Sequence, residues 1–271
     1  MPESVYVYDG SFPGFLCCIF DSYLYHEIPV DIVSQEAFSP SLYPVRDVKT
    51  DRQHAQRVYH RAAESSPEAA ALLYRGFLTC MEGRETALYR LMAKLLREGP
   101  GFLKNRADET LYPVWKAVRH LNGEVHLLKG FLRFSEFSGV LAAEIEPKNR
   151  VLPLLRPHFC DRFYNETFFI YDRTHREALF YAERRAIISP LESFQMGRPD
   201  EREAGFRLLW KQFYNTIAIR ERENPRLRMS NMPKRYWNVM TEFQDADYFV
   251  PAGISGPPDT ALPPGRSPLI L

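Results

Sequence analysis

Residue types suited to acid–base chemistry gather around His158. Of the seven histidines, His158 has the most suggestive neighbours, because Asp161 and Arg162 follow it by three and four residues. On a helix these spacings share one face, so Asp161 could orient or stabilise an imidazolium. Asp172 ends a strand-like run, a place where carboxylates act in catalysis or cap a turn. His158, Asp161 and Asp172 are therefore candidate acid–base residues, and a structural role is the alternative for each.

A second concentration of functional side chains lies near the carboxyl end. Residues 198–235 contain ten basic and five acidic side chains, and two large aromatic residues follow the last two cations. Arginine is suited to bidentate recognition of phosphate, and aromatic rings can stack on bases. The alternatives are a solvated helix face with internal ion pairs, and an aromatic anchor for the chain end. The candidate nucleic-acid-binding residues here are Arg226, Arg228, Lys234, Arg235, Tyr236 and Trp237.

The composition is that of an ordinary globular protein with almost balanced charge. The chain has 271 residues, 45% of them hydrophobic, which is enough to bury a substantial core. Its 35 Lys and Arg nearly balance 34 Asp and Glu, so the overall charge predicts neither nucleic-acid nor membrane binding. The charge is nevertheless polarised, because residues 1–49 hold two basic and seven acidic side chains.

The four cysteines show no metal-binding pattern. Cys17, Cys18, Cys80 and Cys160 include no C-x-x-C pair, so we expect no protein-borne metal, cluster or other cofactor. The beginning of the sequence lacks the features of a secretory signal, and no apolar run is long enough to cross a membrane. We expect a cytoplasmic protein with reduced thiols. The familiar nucleotide-binding, hydrolase, kinase and zinc-protease motifs are also absent from the sequence.

The elements that position these residues follow from periodicity. The sequence predicts a strand at 5–8, a helix at 12–26, and connections with one short element at 27–48, where three prolines occur. Further helices are expected at about 50–64, 67–80, 84–97 and 109–129, where Ala, Leu, Arg and Glu are common.

After residue 130 the hydrophobic pattern of the sequence becomes typical of β-strands. Runs at 131–134 and 140–146 predict one hairpin, and runs at 168–171 and 178–181 predict another, with a possible strand at 186–188. A short helix broken at Pro153 and Pro157 is expected at 149–163, and a long amphipathic helix at 201–223. The last segment, 250–271, is rich in Pro and Gly and is not expected to pack.

These elements predict an α+β fold. We expect a single domain over residues 1–249, with a helical amino-terminal half, a central antiparallel sheet of four to six strands and a long carboxyl-terminal amphipathic helix. Residues 250–271 are expected to form a flexible tail.

Several short segments together resemble a bacterial family described as DNA-metabolism or DNA-repair proteins that carry a domain of unknown function. The resemblance extends over residues 4–243. The segments that carry it are YDGSF at 8–12, GFL at 14–16, GFLRF at 130–134, HF at 158–159, RF at 162–163, IYD at 170–172, NPR at 224–226 and MPKRYW at 232–237.

The resemblance implies a DNA-repair setting. Members typically accompany a radical-SAM protein of DNA modification or repair, and in some bacteria the domain is fused to a uracil-DNA glycosylase-like domain. The residues that match the family motifs are Asp9, Gly10, Arg133, His158, Arg162, Asp172, Lys234 and Arg235. Four of them are cations beside aromatic rings, so we expect Arg133, Arg162, Lys234 and Arg235 to converge on one positive concavity.

Three functions agree with these observations. The first is an accessory protein of DNA metabolism that binds DNA and acts with a radical-SAM partner. In that case the partner, and not this chain, would hold the iron–sulfur cluster. The second is an enzyme that modifies a base or sugar-phosphate with His158, Asp161 and Asp172. The third is an interaction scaffold whose Arg-rich face meets an acidic partner, without nucleic-acid contact. No membrane association is expected.

Overall fold

The computed structural model describes residues 3–137, 139–194, 233 and 236. It is a mixed α/β protein with six α-helices and two sheets among those residues. The chain divides into two compact units, residues 1–123 with 148–150 and residues 124–147 with 151–271. Within the part that the model describes, no helix has both the length and the apolar character needed to cross a bilayer.

The first unit begins with a small parallel sheet. Strand β1 (Glu3–Tyr8) leads into helix α1 (Phe12–Leu24), as the sequence predicts, and then come β2 (Ile28–Ser34) and β3 (Val45–Asp47). Both later strands pair with β1 in parallel, in the order β2-β1-β3. The prolines of this segment therefore do not prevent strand formation. Pro29 lies in the edge strand β2, where a missing N–H donor is tolerated.

Four predicted helices of this half are confirmed. They are α2 (Arg52–Ser65), α3 (Pro67–Phe77), α4 (Arg84–Glu98) and α5 (Leu111–Phe131), with a 3₁₀ turn at Pro100–Lys104. Asp51 accepts hydrogen bonds from the first N–H groups of α2, and Ser66 caps α3 in the same way. These caps fix the residues at which α2 and α3 begin.

The core of the first unit lies between β1 and the helices. Tyr8 and Phe15 are fully buried, and the rings of Phe15 and Phe77 stack with centroids 5.7 Å apart. The Tyr8 hydroxyl donates to Glu85 Oε1 at 2.9 Å, which satisfies its polar end inside the core. The sheet and the helical region therefore share one hydrophobic core.

The second unit contains a five-stranded sheet in the order β4-β5-β6-β7-β8. The strand number agrees with the prediction of four to six strands. Its elements, in chain order, are β4 (Ser135–Phe137), β5 (Val140–Ile145), α6 (Leu152–Arg162), β6 (Phe168–Asp172), β7 (Glu177–Ala182) and β8 (Arg185–Pro190).

This sheet is mixed, so the predicted antiparallel sheet is wrong in one respect. β5 and β6 are parallel, with Ala143 opposite Ile170, whereas the other three pairs are antiparallel. The physical reason is α6, which joins β5 to β6 as a crossover and lets β6 run in the same direction as β5.

Two local predictions in the second unit also need correction. The first hairpin begins at Ser135, because α5 continues through Phe131 and occupies part of the run at 131–134. Helix α6 is present but continuous. Pro153 lies in its first turn, where no N–H donor is required, and Pro157 lies inside the helix without ending it.

Three predictions fall outside the described residues. They are the amphipathic helix at 201–223, most of the cation and aromatic segment at 226–237, and the tail at 250–271.

One glycine in the first unit is required by a close approach. The Asp9 carboxylate accepts hydrogen bonds from the Ser11 hydroxyl at 2.7 Å and the Thr50 hydroxyl at 2.7 Å, which ties the ends of β1 and β3 together. Gly14 lies directly beneath this carboxylate at the start of α1, and a Cβ there would overlap Asp9 Oδ1.

Gly14→Ala should therefore lower the free energy of unfolding by about 1–3 kcal/mol, since either the carboxylate or the helix must shift. Gly123→Ala is the matched control, because Gly123 is an exposed α5 residue with no atom within 4 Å of an added Cβ. The control should stabilise the protein by about 0.5–1 kcal/mol. Urea denaturation measures both, and an unchanged midpoint for Gly14→Ala would contradict the role given to Asp9.

Candidate functional site

A cluster of aromatic rings fixes α6 on the sheet of the second unit. Phe134, which follows α5, lies 5.6 Å from Phe159 and 4.9 Å from Phe163 of α6, measured between ring centroids. The same ring lies 5.7 Å from Phe168 of β6, whose ring stacks on Tyr181 of β7 at 4.9 Å. These offset and edge-to-face contacts hold the helix in one position, so the other side chains of α6 are fixed as well.

His158 lies on α6 beside this cluster. Its ring contacts Phe159 edge to face, with centroids 5.0 Å apart. The Nε2 atom is buried, and no hydrogen-bond partner for it exists among the described residues. A buried polar atom without a partner is uncommon, and it often marks a place where water or a ligand binds.

The electrostatic surroundings of His158 are cationic. Burial lowers the pKa of its imidazole, the positive charges of Lys129 and Arg162 lower it further, and Asp161 opposes them. Asp161 was predicted to stabilise the imidazolium, but the two cations and burial outweigh it. The neutral imidazole is therefore favoured.

Lys129 and Arg162 come from the ends of two helices. Lys129 is in the last turn of α5, and Arg162 is the last residue of α6, with its guanidinium 5.8 Å from the Phe163 centroid. Cations in the last turn also interact favourably with the helix dipole, which is their alternative, structural role. Sequence reasoning found Arg162 and missed Lys129, although Lys129 directly precedes the GFLRF segment.

Arg133 has a structural role in the second unit. Its guanidinium donates to the carbonyl oxygens of Gly130 at 2.9 Å and Leu132 at 3.4 Å. Arg133 thus satisfies carbonyl groups that the end of α5 leaves without helical partners. Its predicted partners Lys234 and Arg235 lie outside the described residues, as do Arg226, Arg228 and Trp237.

Tyr236 is buried. Only 4% of its surface is exposed, its ring lies 6.3 Å from Phe131, and its N–H donates to the Pro233 carbonyl at 3.0 Å. A ring enclosed in this way cannot receive a base. The burial therefore favours the anchoring alternative for Tyr236 over base stacking.

Asp172 is paired with a histidine that sequence reasoning missed. The Asp172 side chain is fully buried at the end of β6, and its Oδ2 lies 2.7 Å from Nδ1 of His175. Its Oδ1 also accepts the backbone N–H of His175 at 3.1 Å. The carboxylate thus orients the imidazole through Nδ1 and leaves Nε2 for proton transfer, an arrangement shared with catalytic Asp–His pairs. The turn sequence D-R-T-H was the available signal.

A separate groove lies in the first unit between α1, α2 and α4. It has a volume of about 910 Å³ and an apolar lining that includes Phe20, Tyr23 and Leu24, with Arg57 and Arg61 on the α2 side. None of the residues predicted for catalysis or nucleic-acid binding lines this groove. In the described portion of both units, no set of three or more His, Cys, Asp or Glu side chains is placed to hold a metal ion.

The chain matches the model of a known protein family. A family model described as a domain of unknown function, DUF4130, matches residues 82–242, which is more than half of the chain. No curated protein and no solved structure matches the chain. The matched residues include α4, α5 and the described elements of the second unit, and with them Lys129, His158, Arg162, Asp172 and His175.

The depressed pKa of His158 predicts a pH dependence of stability. The unfolded chain takes up a proton near the ordinary histidine pKa of about 6.5, whereas the folded chain takes it up only at lower pH. Stability is therefore complete above the ordinary pKa and is lost as the pH falls through the lower, folded value.

His158→Phe keeps a ring against Phe159 and removes the titrating group. Between neutral and mildly acidic pH, the wild type should lose more stability than this variant in urea denaturation. Because the other six histidines are common to both proteins, their contribution cancels. Equal losses in the two proteins would show that His158 does not titrate in the way described.

Proposed function

The chain belongs to the DUF4130 family, and from that premise we propose that it is an accessory protein of DNA metabolism that binds nucleic acid through the α5–α6 face. The α5–α6 face is defined as the surface of the second unit formed by Lys129, His158 and Arg162. A radical-SAM protein of DNA modification or repair is the proposed partner, and the family resemblance supports this part of the proposal.

The observation that carries the proposal is an unsatisfied imidazole whose pKa is lowered by two neighbouring cations. Lys129 and Arg162 both act on His158, and its buried Nε2 has no partner among the described side chains and backbone groups. A phosphate bound here would receive charge-assisted hydrogen bonds from the ammonium and the guanidinium. Its negative charge would also offset the two cations and raise the pKa of His158.

The rigid base of the face supports the same function. Phosphate contacts position a protein on nucleic acid only if the cations are held at defined places. The rings of Phe134, Phe159 and Phe163 hold α6, which carries both His158 and Arg162. Two helices thus present the three side chains without relying on a long loop.

The salt dependence of binding tests the proposal. We expect a fluorescent oligonucleotide, in single-stranded or duplex form, to bind more weakly as salt rises. Lys129→Ala and Arg162→Ala should each lower the slope of log K against log salt by about 0.7–0.9, one phosphate contact apiece. Arg97→Ala is the matched control, because Arg97 is 72% exposed and pairs with Glu98 in the first unit.

Stability measurements separate binding from the helix-dipole role. If Lys129 and Arg162 only stabilise the helix ends, the loss of either cation should cost up to about 1 kcal/mol of stability and leave the salt slope unchanged. No binding at low salt, or an unchanged slope in the Lys129→Ala, Arg162→Ala double variant, would contradict the proposed face.

The Asp172–His175 pair favours a second candidate function, an enzyme acting on nucleic acid. The buried carboxylate holds His175 Nδ1 at 2.7 Å, and the side chain of His175 is 17% exposed. With Nδ1–H bonded to Asp172, Nε2 could take a proton from a water molecule that attacks the substrate. This assignment keeps Asp172 from the predicted set and adds His175 as its partner.

Mass spectrometry of oligonucleotides with intact and damaged bases tests this second function. Any product formed by the wild type should be lost in His175→Gln and retained in His60→Gln, because His60 is an exposed residue of α2 outside both proposed sites. The thermal midpoint of His175→Gln must stay close to that of the wild type, so that the loss of product is not caused by unfolding. Product formation that survives His175→Gln would exclude the pair as the acid–base group.

A further inference from the structure

A cationic surface surrounds a tryptophan in the first unit. The guanidinium carbon of Arg106 lies 5.2 Å from the Trp115 ring centroid, and that of Arg119 lies 5.6 Å from it. Trp115, Lys116 and Arg119 are on α5, and Arg106 is in the turn before this helix. These four residues are called the Trp115 surface.

The charges of this surface are accessible. Lys116, Arg119 and Arg106 are all exposed, and Trp115 is half-buried. Arg106 has a carboxylate neighbour, Glu68, at 3.5 Å, but both side chains are about half exposed, so the pair is weak.

The two α5 cations lack such a neighbour. Within the described chain no ion pair involves Lys116 or Arg119. The nearby Asp108 carboxylate already contacts Lys94 and accepts the N–H groups of Thr110 and Leu111. The surface therefore carries positive charge that its own unit does not neutralise.

The indole ring of Trp115 adds an aromatic face to the positive charge of this surface. A guanidinium close to an indole is held there by cation–π attraction, and its N–H groups can still donate to an outside acceptor. Two such groups on one ring place donors for phosphate beside an aromatic face. This is the combination by which proteins hold a backbone while an unpaired base stacks.

We propose that the Trp115 surface binds a single-stranded nucleic-acid segment, with Arg106, Lys116 and Arg119 on phosphates and Trp115 against a base. The inference rests on the proposed nucleic-acid function and adds a strand preference to it, because a base inside a duplex is not free to stack on a side chain. Sequence reasoning did not single out these residues, since Trp115, Lys116 and Arg119 lie in a helix whose apolar pattern is ordinary and Arg106 lies in the turn before it.

Intrinsic fluorescence of the full-length protein tests the proposal. The chain has three tryptophans, so the Trp115 signal is the difference between the wild type and Trp115→Phe. An oligothymidylate should quench the wild type, and most of that quenching should be absent in Trp115→Phe. The matched duplex should quench less at equal saturation.

The phosphate contacts are tested separately. A Lys116→Ala, Arg119→Ala variant should lower the salt slope for oligothymidylate by about 1.4, at about 0.7 for each lost contact. Arg97→Ala again serves as the control. An unchanged slope together with full quenching in Trp115→Phe would overturn the proposal.

The outcomes distinguish this inference from the proposed function. If Lys129→Ala and Arg162→Ala lower the slope but the Trp115 variants do not, the α5–α6 face is supported and the Trp115 surface is overturned. The reverse result supports the Trp115 surface and overturns the α5–α6 face. If the wild type binds no oligonucleotide at low salt, both are overturned. Quenching of Trp115 by polyglutamate and not by oligothymidylate would instead assign the surface to an acidic protein.

Discussion

The parallel pairing of β5 and β6 constrains the second unit more than any other feature. Two parallel neighbours need a connection that returns the chain to the starting end of the sheet, and α6 is that connection. The rings of Phe159 and Phe163 fasten the helix to Phe134 and Phe168. The position of every side chain on α6, including His158 and Arg162, follows from this packing.

The electrostatic environment of His158 at the α5–α6 face depends on the position of α6. Lys129 and Arg162 lie at the ends of different helices, and both lower the pKa of the His158 imidazole, in addition to the effect of burial. Two cations close to a buried, unpaired nitrogen raise the free energy of the protonated histidine in the free protein. In the proposed function, a bound phosphate would offset the two cations and so relieve this cost. The Asp172–His175 pair at the end of β6 is independent of this face and depends on the turn before β7.

Sequence patterns predicted the helices and strands better than they predicted which strands pair and which side chains meet. Helices α2 to α5 were found because their composition and the glycines and prolines at several of their junctions are local signals. The parallel pairing of β5 and β6 was missed, since alternation identifies strands without giving their order. Likewise, His158 and Arg162 share one helix and were found together, whereas Lys129 comes from another helix. His175 meets Asp172 in the turn before β7, where Arg176 adopts a positive φ of 52° that local patterns do not reveal.

Lysine acetylation with and without DNA tests the central claim most directly. The full-length protein is treated with a limiting acetylating reagent, free or saturated with an oligonucleotide, and modification is measured by mass spectrometry. We expect DNA to protect Lys129, while Lys49, an exposed residue of the first unit, serves as the reference. Protection of Lys129 relative to Lys49 would support nucleic-acid binding at the α5–α6 face. Equal acetylation of Lys129 in the free and saturated protein would contradict it.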